Sequence, residues 1–170
     1  MAKPTVQRSG EGFARFAARV EAMFGGLDVV VGVQGTQAKA TDPNEPAVTV
    51  LDKAVRNEFG VPAMDGHGEV PPRPFLRDSA AQYKKAWTVA YRKQIKMALL
   101  GRKTSTQAAS QIGNVVRANV QEKIVAGPWA PNAPMTIEKK KSSRPLIDTG
   151  QLRQSIRYQV ERRGVVEDVG

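Results

Sequence analysis

Cysteine is absent from the 170 residues, which excludes a disulfide framework, a thiolate metal site and a cysteine nucleophile. Histidine occurs once, as His67 within Asp65-Gly66-His67-Gly68-Glu69. Acid–base and nucleophilic catalysis draw on side chains whose proton affinity can be tuned near neutrality, and one histidine in a glycine-rich loop offers little of that. Asp65, His67 and Glu69 alternate as metal ligands can, yet a fourth ligand and a rigid surround are missing, so neither a metal nor a cofactor is expected. No glycine cluster falls between a strand and a helix with the lysine or downstream acid of a phosphate-binding site. A glycine-x-serine-x-glycine elbow is missing as well. Apolar residues nowhere run to the roughly 20 that a membrane helix needs, and the N-terminus lacks the apolar stretch of a signal peptide. These gaps point to a non-enzymatic protein made and used in water, with no membrane partner.

What the chain does have is positive charge: 26 Lys and Arg against 16 Asp and Glu, a formal +10. Such a field attracts polyanions or acidic protein surfaces, or simply keeps a surface solvated. Residues 1–170 have the length of a single domain able to bury a core without a staple.

Phe13, Phe16, Ala17, Val20 and Phe24 recur at helical spacing up to Gly25-Gly26, which predicts an amphipathic helix with one apolar side. Leu27 to Val33 (LDVVVGV) reads as a strand with burial expected on both faces. Mobile loops are expected at about 34–46, 61–74 and 128–145, where proline, glycine and small polar residues gather. Val48 to Phe59 suits a short helix or a strand-to-helix transition. Phe75 opens the longest helix, about 20 to 25 residues ending near Gly101. A further helix starts at Thr104, which can cap while Gln107 reaches back, and stops at Gly127-Pro128, with Gly113 weakening it slightly. After the basic run Lys139-Lys140-Lys141 and Arg144, the C-terminal part suggests a turn, a brief helix and a closing strand through Tyr158 and Val160. The fold class is α+β: a small mixed sheet with a long helix and one or two further helices packed on it, and long irregular loops.

Three segments carry more information than their surroundings. Asn57-Glu58-Phe59-Gly60 precedes a loop. Pro72-Arg73-Pro74-Phe75-Leu76-Arg77 gives a rigid entry into the long helix, with Phe75 and Leu76 seated in its first turn. Asp148-Thr149-Gly150-Gln151-Leu152-Arg153-Gln154-Ser155-Ile156 can cap a turn with Asp148 or Thr149, bend at Gly150 and point Leu152 and Ile156 inward. In this order, around a long helix, the three segments resemble those of the minor tail-component and tail-completion family of long-tailed bacteriophages. The resemblance implies a small α+β subunit of the virion neck that assembles as a ring of six or twelve copies. It also implies contacts with connector, tail-terminator or tail-tube proteins, assembly in the host cytoplasm, and no catalytic residue.

Most of the motif residues, Phe59, Phe75, Leu76, Leu152 and Ile156 among them, read as core. Arg73, Arg77 and Arg153 are the interface candidates, because guanidinium groups engage carboxylates bidentately. Lys85, Arg92 and Lys96 line one side of the long helix as a basic stripe suited to a solvated face, an acidic neighbour or passing contact with packaged DNA. The loops at 34–46 and 128–145 read as docking arms, the second with Trp129, Met135 and Ile137 as anchors beside Lys139, Lys140, Lys141 and Arg144. The rival reading is a non-sequence-specific nucleic-acid-binding protein holding phosphates with the basic helix or the Lys139 cluster.

Overall fold

In the computed structural model, which describes residues 10–34, 48–63, 68–140, 143–147, 150–162 and 165–167, local capping chemistry sets the helix bounds. Helix α1 spans Gly10–Phe24, α2 Val50–Phe59, α3 Phe75–Leu99, α4 Ser105–Ala126, α5 Pro134–Lys140 and α6 Gln151–Ser155. Strands are β1 (Leu27–Val33), β2 (Ile156–Arg162) and β3 (Val165–Glu167). Thr104 caps α4 as its spacing predicts: its hydroxyl accepts from the Gln107 amide at 3.1 Å while the Gln107 side chain accepts from the Thr104 amide at 3.0 Å. The same reciprocal box opens α2, between Thr49 and Asp52. This pairing decides between helix and strand for Val50 onward.

Hydrogen bonds from the Thr49 side chain and backbone hold the Asp52 carboxyl below its ordinary pKa. Because the folded-state value is the lower one, the capping contribution is complete above the ordinary carboxylate range and is lost as pH falls through the depressed value. Thr49→Ala should return Asp52 toward an ordinary titration, which a carboxyl NMR titration of both proteins would read.

The strands form one sheet in the order β1-β2-β3, antiparallel at both pairings. It is therefore α+β with a small sheet, but the sheet is not mixed. β3 follows β2 too closely for the long crossover that a parallel pairing demands. Along β1–β2, Val29 pairs with Val160, Val31 with Tyr158 and Val33 with Ile156. Among the described residues helices cover one face only, and Asp28 and Val30 of β1 are exposed, contrary to the expectation of burial on both sides.

Helix α4 lies between the sheet and α3, giving the order sheet, α4, α3. Ala108 and Ala109 are buried on it and let both neighbours approach closely. Gly113 is a packing requirement rather than a weak point, since an added methyl would overlap the Tyr158 ring. That ring cannot swing aside: it is buried, its hydroxyl accepts from Asn114 at 3.1 Å, and the Arg117 guanidinium lies 5.7 Å from its centroid. Gly113→Ala should gain helix propensity yet cost about 1–3 kcal/mol through overpacking, seen as a lower denaturation midpoint. Across the α3–α4 interface Trp87 donates to Asn119 at 2.9 Å, and within α3 it stacks on Tyr83 at 6.3 Å. Among the described residues no helix is long and apolar enough to cross a membrane.

Helix α1 has the amphipathic pattern its sequence predicts, but no substantial packing against any other helix or strand among the described residues. Phe13 is 75% exposed and Phe16 52%. Residues 35–47, and with them nearly all of the first expected loop, lie outside the described residues, as do Asp65, His67, Lys141, Asp148 and Thr149.

Candidate functional site

The first two sequence segments close on each other where α2 ends and α3 begins. Arg73, 6% exposed, is the centre of this clasp. Its guanidinium donates to the Asn57 side chain at 3.0 Å, to the carbonyls of Ala130 at 3.0 Å and Pro131 at 3.1 Å, and to the Asn132 side chain at 3.2 Å. The Arg73 amide donates to the Asn57 carbonyl at 2.6 Å, tying the segments by backbone as well. Four acceptors in fixed directions suit the planar fork of arginine and would not be matched by lysine. Burial lowers the Arg73 pKa from its ordinary value, which leaves a guanidinium charged at neutral pH.

Arg73 is thus an internal latch and not the interface residue expected of it. It also ties residues 130–132, in the stretch expected as a mobile docking arm, to the body of the chain. Carbonyls of 130 and 131 and the buried Asn132 are held from inside the chain, and Asn132 in turn donates to the Arg144 carbonyl at 3.3 Å. Pro134–Lys140 then form α5. Trp129 is half-buried against the main core, donates to the Ile124 carbonyl at 3.0 Å and has the Lys123 ammonium 5.8 Å from its ring, so it anchors its own chain. Met135, at 82% exposure, does project outward.

Beside Arg73, the buried Glu58 carboxylate reaches from α2 to the start of α3. It accepts from the amides of Leu76 at 2.9 Å and Arg77 at 3.1 Å, two of the donors that a helix N-terminus leaves without partners. Pro74 at the cap position has no side chain for this purpose, so a carboxylate from another helix supplies the cap and complements the helix dipole. Arg77 completes the group, with its Nε 3.2 Å from Glu58 and a terminal nitrogen donating to the Glu58 carbonyl at 2.7 Å. The Arg77 guanidinium also lies 5.0 Å from the centroid of the Phe59 ring. Phe59 itself is exposed rather than core, because α2 turns Val50, Ala54 and Glu58 inward and leaves the adjacent stripe of Leu51, Val55 and Phe59 outside.

Gly60 follows with φ 76°, where a side chain would strike the Val70 carbonyl and Pro72. Val61 and Val70 exchange two 2.9 Å backbone hydrogen bonds. The base of the 61–74 loop is therefore pinned and not mobile, and Pro72 and Pro74 deliver Arg73 and Phe75 to fixed places.

The third segment reaches the same core from the other side. Phe75, Leu152 and Ile156 pack with Val50, Ala54, Val120, Ile124 and Leu146, with Leu76 against the edge of the cluster. Leu146 holds φ 61°, a left-handed conformation that costs a leucine roughly 1–2 kcal/mol, offset here by burial of its side chain. Gly150 takes φ 77° and opens α6. The buried Ser155 hydroxyl donates to the Leu152 carbonyl at 2.7 Å, and Gln121 of α4 donates to the carbonyls of Arg153 and Ile156.

Of the arginines proposed for contacts, Arg153 does lie outside, lining a shallow groove of about 380 Å³ with Gln121, Glu122, Val125 and Ala126. Lys85, Arg92 and Lys96 are exposed along α3. They point away from the side on which Phe75, Ser79 and Ala98 are buried. Lys139 and Lys140 fall at the end of α5. Among the described residues no group of three or more His, Cys, Asp or Glu side chains is placed to hold a metal ion.

The roles of Asn132 and the exposed α2 stripe were not read from the sequence. The stripe had a signal in the i, i+4, i+8 spacing of Leu51, Val55 and Phe59, in parallel with that of Val50, Ala54 and Glu58. None of the known protein families, curated proteins or solved structures compared with the chain matches it.

Proposed function

We propose that this chain is a structural subunit of a tailed-bacteriophage neck, assembling as a ring that completes the tail and joins it to the head. The observation that carries this reading is the convergence of all three resemblance segments on one buried junction. Asn57 and Glu58 bond to Arg73 and the start of α3, while Leu152 and Ile156 pack against Phe75. Segments far apart in sequence thus act together to fix a shape, which suits a part whose work is to fit beside copies of itself. Surfaces left outward for such contacts are Arg77 with Phe59, the groove at Arg153, and the basic side of α3.

The test is genetic and compositional. Virions should contain the chain, and phage lacking its gene should accumulate unjoined heads and tails. Normal particles from the mutant would overturn the reading.

The exposed basic side of α3 favours one alternative, non-sequence-specific nucleic-acid binding. A neck subunit should release duplex DNA at moderate salt. A binder would hold it, with log K falling by about 0.9 per neutralised phosphate against log salt concentration.

A further inference from the structure

We infer that α1 of one copy docks on the Leu51/Val55/Phe59 stripe of α2 in the next copy, making a head-to-tail contact between identical chains. The inference rests on the self-assembly part of the ring reading and names the contact that would build it.

Two apolar helix faces in this chain lack a cover among the described residues. One is the Phe13/Phe16 side of α1, continued by the half-buried Val20 and Phe24. The other is the α2 stripe, where Leu51 is 46% exposed, Val55 48% and Phe59 65%. Their lengths agree: eight residues of rise from Leu51 to Phe59 and eleven from Phe13 to Phe24 correspond to about 12 and 16 Å.

The two faces belong to opposite ends of β1. Helix α1 joins β1 at Leu27 through Gly25 and Gly26. Helix α2 packs beside α6, which runs into β2 at Ile156, the partner of Val33 at the far end of the strand. A seven-residue strand separates those ends by about 20 Å. A donor face at one end and a different acceptor face at the other define a heterologous contact, the kind that propagates around a ring.

Charge agrees as well, which matters for a +10 chain meeting itself. At helical spacing, Arg19 borders the apolar side of α1 on one flank and Glu21 on the other. The open flank of the α2 stripe carries Asp52 and Arg56, and Arg77 sits over Phe59 at its end. Each border therefore offers an opposite charge to the other helix.

The test uses the full chain and two double variants, Phe13→Glu/Phe16→Glu (donor-dead) and Leu51→Glu/Val55→Glu (acceptor-dead), followed by sedimentation velocity and native mass spectrometry. Each alone should weaken self-association at least about a hundredfold. Mixed, they should recover one intact contact and stop at a 1:1 heterodimer. Failure of the mixture to associate would overturn the head-to-tail contact, including in favour of α1 pairing with α1. Should the acceptor variant melt early, the donor variant decides alone, since α1 has no substantial packing on the body to lose. Because the chain has no cysteine, Ala17→Cys and Val55→Cys chains can also be mixed under oxidising conditions. A cross-linked heterodimer is expected, and its absence overturns the contact even if the wild type is monomeric. Wild-type and variant chains that assemble alike would sink this contact while leaving the ring reading intact, whereas virions lacking the chain would sink the neck reading alone.

Discussion

Replacing Arg73 with alanine should lower the unfolding free energy by about 3–5 kcal/mol, the loss expected when several hydrogen bonds from one buried charged donor are removed together. The loss is large because the guanidinium is the common donor to four acceptors on two distant parts of the chain. Without it, Asn132 loses its partner in a place water reaches poorly, and the carbonyls of Ala130 and Pro131 lose theirs beside it. Arg73→Lys should recover little, since an ammonium is a point charge and cannot satisfy a planar arrangement of acceptors. Denaturant titration of the three proteins checks this. Limited proteolysis adds a local readout: cleavage within 130–140 should accelerate in both variants ahead of global unfolding. A lysine variant as stable as the parent would show that charge, and not geometry, holds the clasp.

Glu58→Ala should cost about 3 kcal/mol by the same reasoning, because it leaves the first amides of α3 without an acceptor and Arg77 without its carboxylate. Glu58→Gln keeps the shape and one acceptor oxygen but turns an amide donor toward a backbone donor, so about half of that loss is expected. Amide hydrogen exchange separates the cap from general destabilisation. Leu76 and Arg77 should lose protection by more than residues in the middle of α3. Uniform loss along the helix would place the effect of Glu58 elsewhere.

How far the sequence could be read depends on the range of the interaction concerned. Thr104 with Gln107, the C-terminal end of α3, and the turn at Gly150 are settled by groups within a few residues of one another, and they were legible. So was the inward placing of Phe75, Leu152 and Ile156, which follows from periodicity. The clasp was not, because Arg73 meets partners 57 to 59 residues away, and no local pattern announces that a proline-flanked arginine will be buried. The same long-range bonds hold residues 130–132 of the expected arm just ahead of α5. Phe59 misled for a different reason: an aromatic residue in a helix reads as core unless the neighbouring stripe of Val50, Ala54 and Glu58 is recognised as the buried one. β3 could have been found from Gly164 ahead of Val165-Val166, a hairpin signal just beyond the strand that was read.

The two hydrogen bonds between Val61 and Val70 make the chain between them a closed side-branch of the fold. Its ends are fixed to each other before the path reaches Arg73, so its length is uncoupled from the placing of the helices. Doubling such a branch adds only about 0.6 kcal/mol of closure entropy. An epitope or a small fluorescent tag inserted beside the exposed Ala63 or Gly68 should leave the Arg73 clasp intact, giving electron microscopy a visible marker for each copy in an assembled particle.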